Sequence, residues 1–192
     1  DGAASIEGLY EKAIGDNMPA IAITDHGNMF GAFKFVSQAW KKTKVIGKDA
    51  DGKDILAPFV KPIVGCEFYV VKDRHIKNFT KELKDNRYHQ VLLAKNAIGY
   101  QNLIKLTSLG YIEGMYSKYP RIDKSLIEKY HEGLIATTCC IGAHVPQAIL
   151  KSDEAAAEKE FKWWLDIFGE DYYIEIQRHQ IPEQQIINDR LL

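Results

Sequence analysis

Ala20-Ile21-Ala22-Ile23-Thr24-Asp25-His26-Gly27-Asn28 is the stretch whose reading decides the fold. An apolar run of this length suits a parallel strand covered on both faces, and it stops on two metal-capable side chains before Gly27 turns the chain. Ligands in α/β folds gather at the carboxyl ends of strands, so Asp25 and His26 mark a candidate site.

Outward from this strand, helical and extended patterns alternate. Ser5 can cap a helix running to about Asp16, with Ile6, Leu9, Tyr10, Ala13 and Ile14 as its apolar stripe. A second helix from about Gly31 to Lys42 sets Phe33, Val36, Ala39 and Trp40 on one side. Residues 44–61 hold Gly47, Gly52 and Pro58 and read as an inserted surface hairpin or loop. Its Asp49-Ala50-Asp51-Gly52 resembles the start of a calcium loop but lacks the closing acidic residue, which makes it turn chemistry.

From Lys61 to Val71 the chain alternates, with Ile63, Gly65, Glu67 and Tyr69 on one face and Val64, Cys66, Phe68 and Val70 on the other. Tyr88 to Ala94 reads as a third strand. A helix follows from Asn96 to about Leu109, with Tyr100, Leu103, Ile104 and Leu106 in its stripe. Asp123 opens a short helix to Tyr130, and strand Leu134–Thr138 comes after Gly133. Helices over 143–150 and 153–168, a strand over 172–177 and a helix after Pro182 complete the pattern. This order predicts an α/β fold with a mostly parallel sheet, open or closed into a barrel, with right-handed crossovers.

Bulk properties limit the function. A chain of 192 residues with 46% hydrophobic content can bury one sizeable core. Twenty-five basic against 26 acidic residues leave no global positive field for gripping nucleic acid, so any DNA contact is local or supplied by another part of a longer protein. The 3 cysteines have no disulfide-type spacing, which favours a reducing, cytoplasmic compartment. Neither an apolar run long enough to span a membrane nor an export leader is visible. Asp1-Gly2-Ala3-Ala4 reads like the middle of a loop, and a fragment of something longer is expected.

Laid on these elements, the candidate ligands fall in or beside strands: Asp25 and His26, Glu67, His89, and Cys139-Cys140. Imidazole, carboxylate and thiolate together suit zinc and neighbouring transition metals, and carboxylates also admit manganese or iron. Ions held there could generate hydroxide and clamp a phosphoester. Each residue also has a plainer reading. A lone His89 is often a hydrogen-bonded core histidine, and the cysteines could be small core residues. Glu67 is harder to dismiss, since a buried carboxylate needs a cation or strong donors. Asp25 is either a ligand or the partner that fixes the His26 tautomer. His75, His131 and His179 lie in polar surroundings and read as solvated. There is no Gly-x-Ser-x-Gly and no phosphate-cradling glycine loop.

Several ordered blocks carry a resemblance: Thr24-Asp25-His26-Gly27-Asn28-Met29-Phe30-Gly31, Lys61 to Val70, His89 to Asn96, Gly99 to Leu103, and Glu132 to Cys140. Together they resemble the PHP (polymerase and histidinol phosphatase) domain of the bacterial replicative, C-family DNA polymerase III alpha subunit. The resemblance implies a (β/α)7 barrel, incomplete because truncated at both ends, whose strand ends hold divalent metal ions (Zn, Mn or Fe). Position by position, Asp1, His26, Glu67, His89 and Cys140 match metal-ligand positions, Asp1 through the family's Leu-Leu-Asp-Gly stretch. The opening His-x-His of the family would precede Asp1, and its late Asp-x-His would follow Leu192. His144 stands where the family often has an acidic residue.

The implied parent is a DNA-directed DNA polymerase of chromosome replication, a nucleotidyltransferase. DNA, the sliding clamp and a proofreading exonuclease are its implied partners, with no membrane. The domain itself would be a phosphoesterase-like site with 3'-5' exonuclease activity in some members, and this segment alone should not extend DNA. Two rivals stand beside this reading: a non-catalytic scaffold that docks a proofreading exonuclease, and a free-standing phosphatase acting on a small phosphate ester.

Overall fold

In the computed structural model the described residues are 3–192. Their order is α1 (Ile6–Gly15), β1 (Ala20–His26), α2 (Ala32–Ala39), β2 (Thr43–Lys48), β3 (Asp54–Pro58), β4 (Lys61–Val71), β5 (Tyr88–Ala94) and α3 (Ala97–Ile112). Then come β6 (Arg121–Asp123), α4 (Lys124–Tyr130), β7 (Leu134–Thr137), α5 (His144–Leu150), α6 (Glu154–Phe168), β8 (Tyr172–Tyr173) and α7 (Pro182–Leu191). Helix starts follow the capping residues. The Ser5 hydroxyl accepts from the Gly8 amide at 3.0 Å, and the side chains of Asn96, Asp123 and Asp153 cap α3, α4 and α6 in the same way.

The main sheet runs β1-β4-β5-β7-β8, with β6 also paired to β4, and residues 43–58 form a separate hairpin of β2 and β3. No pairing of β8 back to β1 is found among the described residues, and the sheet is mixed, with helices packed on it. β1 lies parallel to β4, from Ala20 opposite Lys61 to His26 opposite Glu67. β6 continues parallel to β4 beyond it, and β7 is parallel to β8.

The mostly parallel sheet expected from the sequence is corrected at β5, which runs antiparallel to both β4 and β7. The physical reason lies in the connection. Residues 72–87 contain no helix, so they return the chain to the same end of the sheet, Val70 opposite Tyr88, instead of crossing over it. β6 escaped the sequence reading because it is only 3 residues long, and β8 spans 2 residues instead of 172–177.

The core is built from the alternation of β4. Cys66, Phe68 and Val70 turn into a cluster with Leu92, Leu103 and Leu106, and α6 adds Trp164 and Phe168. A smaller cluster joins Tyr10 and Ala13 of α1 to Phe35 and Ala39 of α2. The face assigned to α2 is also corrected, except at Ala39, which is buried as expected. Phe33 is 85% exposed and Trp40 52%, whereas Phe35 is fully buried against the Tyr10 ring, centroids 5.0 Å apart. In α3, Leu103 and Leu106 are buried, while Tyr100 and Ile104 of the expected stripe remain exposed.

Candidate metal centre

The sheet brings four of the expected ligands to one rim. His26 ends β1 directly opposite Glu67 in the parallel ladder. Because β5 runs the other way, His89 comes from its first turn of strand, one step along from Glu67 and opposite Tyr69. Cys140 follows β7, whose end lies beside the start of β5. Pleating places Glu67 on the face opposite the buried Cys66 and Phe68, so its carboxylate reaches the rim and its neighbours reach the core.

Local backbone features hold these side chains. The Gly27 amide donates to the Glu67 carbonyl at 2.8 Å, and Gly27 has φ of +66° with Pro120 so close that a Cβ would sit 2.6 Å from Cγ. Asn28 donates to the His26 carbonyl at 2.8 Å and accepts from Phe30. The Asp25 carboxylate accepts from the Gly31 amide at 2.8 Å, which ties the turn to the start of α2. On the far side Cys139 adopts φ of +59°, a left-handed conformation that costs a non-glycine residue on the order of 1–3 kcal/mol. That bend buries Cys139 and leaves Cys140 at the rim, where the Gly142 amide donates to its Sγ at 3.4 Å.

The resulting geometry is tight. Glu67 Oε2 lies 2.5 Å from His26 Nδ1, and Oε1 lies 2.6 Å from His89 Nδ1. His89 Nδ1 is also 3.5 Å from Cys140 Sγ. Donor atoms of Glu67, His89 and Cys140 all fall within 4.8 Å of one another. The Tyr69 ring touches both imidazoles, edge-on to His89 at 5.6 Å and stacked on His26 at 6.5 Å. Asp1 lies outside the described residues.

Electrostatics match the geometry. Hydrogen bonding to Cys140 and then to Glu67 raises the His89 pKa to about 10. The Cys139 thiol, ahead of His89 and the Gly142 amide, brings Cys140 down to about 5, while Cys139 itself is pushed up by its bond to Cys140 and by burial. Burial raises Glu67, but hydrogen bonds and charge from His89 and His26 outweigh it and hold the carboxyl below its ordinary value. Three charged groups thus share protons in a half-buried pocket. The donor set fits a cation as well: one carboxylate, one imidazole and one thiolate are the ligand types that zinc and its neighbours accept, and binding would displace the His89 proton. Because each Glu67 oxygen faces a different imidazole, the carboxylate can serve two ions.

A cavity of about 740 Å³ opens over His26 and His89. Arg87, Lys118 and Tyr119 line it, with the Arg87 guanidinium 3.9 Å above the centre of the Tyr119 ring. The sequence reading passed over these residues. Asp85-Asn86-Arg87 immediately before strand β5 was the available signal, since it places charge one residue upstream of Tyr88-His89.

Comparison with known families then decides the lineage. The family model described as "PHP domain" matches residues 1–179. The chain belongs to the PHP domain family. Relatives of this PHP domain include three proteins named DNA polymerase III subunit alpha. The one from Borreliella burgdorferi is 45% identical over 192 residues, covering 100% of this chain and 15% of that relative. The Thermus aquaticus protein is 41% identical over 194 residues, covering 100% of this chain and 14% of the relative. For Aquifex aeolicus the figures are 40% over 198 residues, 100% and 16%. The PHP domain therefore spans about one-seventh of the length of the curated relatives it matches. Among the described residues no helix is long and apolar enough to cross a membrane.

Proposed function

We propose that this PHP domain is the metal-dependent phosphoesterase module of a DNA polymerase III alpha subunit, acting as a 3'-5' exonuclease beside a separate polymerase active site in the cytoplasm. The parent would add nucleotides on a template during chromosome replication, and its partners would be DNA, the sliding clamp and a proofreading subunit. One observation carries the phosphoesterase reading: Glu67 presents its two oxygens to two different imidazoles, with the Cys140 sulfur beside the second.

His26, Glu67, His89 and Cys140 would hold divalent ions, with zinc, manganese and iron as the candidates. Such ions supply a water acidified to act near neutral pH and positive charge for the phosphoryl oxygens. The chain supplies the rest. Lys118 and the Asp85-paired Arg87 put positive charge on the cavity wall where a phosphodiester would enter. The full-length polypeptide, loaded with Zn²⁺ or Mn²⁺, should shorten a 5'-labelled single strand from its 3' end. His89→Ala should abolish both that shortening and metal retention while leaving primer extension intact. Retained metal and unchanged shortening in the variant would overturn the reading.

A second reading, a scaffold that docks a separate exonuclease, is favoured by an apolar surface. Phe30 is 84% and Ile112 77% exposed, and both border a cavity of about 500 Å³ with Ile104 and Tyr111. Under it, Ile112→Glu would weaken capture of the exonuclease subunit and leave metal content unchanged.

A further inference from the structure

On the other side of residues 86–88 from the metal centre lies a second cavity, of about 640 Å³. Its floor is apolar, formed by Val70 and Val71 at the end of β4, each only 7% exposed. Its walls carry a surplus of positive charge. Lys72, Lys124, Lys159 and His144 all line it, against the single carboxylate of Glu160.

Glu160 is already saturated. It is 6% exposed and accepts from Lys124 Nζ at 2.7 Å and Trp164 Nε1 at 3.1 Å, and it faces His144 Nδ1 at 3.2 Å. Buried and charged, it fixes Lys124 and His144 as rigid parts of the wall. Lys124 is held further by the Trp163 ring, 4.2 Å from its ammonium. His144 stacks flat on Tyr88, centroids 4.1 Å apart at 14°. Lys72 and Lys159 are exposed and take part in no ion pair among the described residues. Once Glu160 is counted against Lys124, the cavity keeps a surplus of two ammonium groups. A multiply charged anion is the ligand that matches them, and a planar ring pair beside it suits a base.

We propose that this cavity is a phosphate-binding site, formed by Lys72, Lys124 and Lys159 beside the stacked Tyr88–His144 pair, separate from the metal centre. Its phosphate could come from a free nucleotide or from a strand. The second source has a path, because Asn86 and Tyr88 border both cavities.

The test uses the intact chain stripped of metal by chelation, so that its outcome does not depend on the phosphoesterase reading. Inorganic phosphate, adenosine diphosphate and a short oligothymidylate are titrated while backbone amide resonances are followed. Saturable shifts at Lys72, Tyr88 and Lys159 are expected, weakening as salt is added. The Lys72→Glu/Lys159→Glu double variant should bind about tenfold more weakly, the loss expected for two exposed charges, with an unchanged melting midpoint. The milder Lys72→Gln/Lys159→Gln pair should show a smaller loss in the same direction. Tighter binding of the diphosphate identifies the nucleotide as the source, and tighter binding of the oligothymidylate identifies the strand. Either result upholds the site. Absent shifts with all three probes, shifts confined to Arg87 and His26, or undiminished binding by both double variants would overturn it.

Discussion

Glu67 stands opposite His26 in the β1–β4 ladder, and its Oε2 lies 2.5 Å from the imidazole Nδ1. A register pair in a parallel sheet therefore supplies half of the candidate metal centre, and the positions of these two residues are fixed by backbone pairing, not by a loop. Loss of the carboxylate should consequently damage metal binding without disturbing the sheet. Glu67→Gln keeps the shape and removes the charge that both imidazoles face. We expect metal affinity to fall by more than about 100-fold, above the range seen when outer partners of ligands are removed. Metal analysis after chelator competition checks this, with circular dichroism to verify the unchanged fold.

Protonation of the metal-free centre gives a pH signature. His89 is raised to about 10, so its stabilising contribution is complete below its ordinary value of 6.5 and lost as pH climbs through about 10. Cys140 is lowered to about 5, so its contribution is complete above the ordinary thiol value of 9.0 and lost as pH falls toward about 5. Between those ordinary values the folded state gains one proton at His89 and gives one up at Cys140. The pair's contribution is thus flat from about 6.5 to 9, rises with pH below that window and falls above it. Melting midpoints of the chelated chain minus those of the His89→Gln/Cys140→Ser variant should trace this plateau. A monotonic difference would contradict it.

The buried face of α2 is tested by two phenylalanines. Phe35 is fully buried and Phe33 is 85% exposed. Phe35→Ala should cost about 3–5 kcal/mol in urea unfolding, whereas Phe33→Ala should stay within about 0.5 kcal/mol. Equal losses would place the helix the other way round.

That contrast also shows what the sequence made legible. The alternation from Lys61 to Val71 announced β4 and its two faces, and the polar candidates His26, Glu67, His89 and Cys140 stood out because each interrupts or borders an apolar strand. Helix α2 was ambiguous because Phe33, Val36, Ala39 and Trp40 recur at helical spacing and so do Ala32, Phe35 and Ala39, and the buried set contains small alanines that add little hydrophobic weight. Strand direction is carried by no side-chain pattern, so the reversal of β5 was hidden in the helix-free stretch 72–87. The same stretch hid Asp85 and Arg87, which pair with each other and also reach Arg121 and the Tyr119 ring far along the chain. Asp25 reads like a metal residue from its neighbours, and its Oδ2 accepts from the Gly31 amide at 2.8 Å.

Arg121 is the residue on which that long loop depends. It is the first residue of β6, its side chain is 0% exposed, and it donates from Nε to Gly114 at 2.9 Å. One Nη2 donates to the carbonyls of Arg74 and Ile76 at 3.1 and 2.9 Å, and Nη1 reaches Asp85 at 2.8 Å. A planar fork of five donors satisfies these separate acceptors, which an ammonium cannot do. Arg121→Met should therefore leave Asp85 with Arg87 alone and remove the donor from three carbonyls, at about 3–5 kcal/mol, and Arg121→Lys should recover only part of that loss. Because Asp85 is also the partner of Arg87, the change should loosen the wall of the metal cavity. Urea denaturation measures the first effect, and faster proteolytic cleavage within residues 72–87 measures the second. If Arg121→Met unfolds at the same denaturant concentration and is cleaved no faster, this anchoring role is wrong.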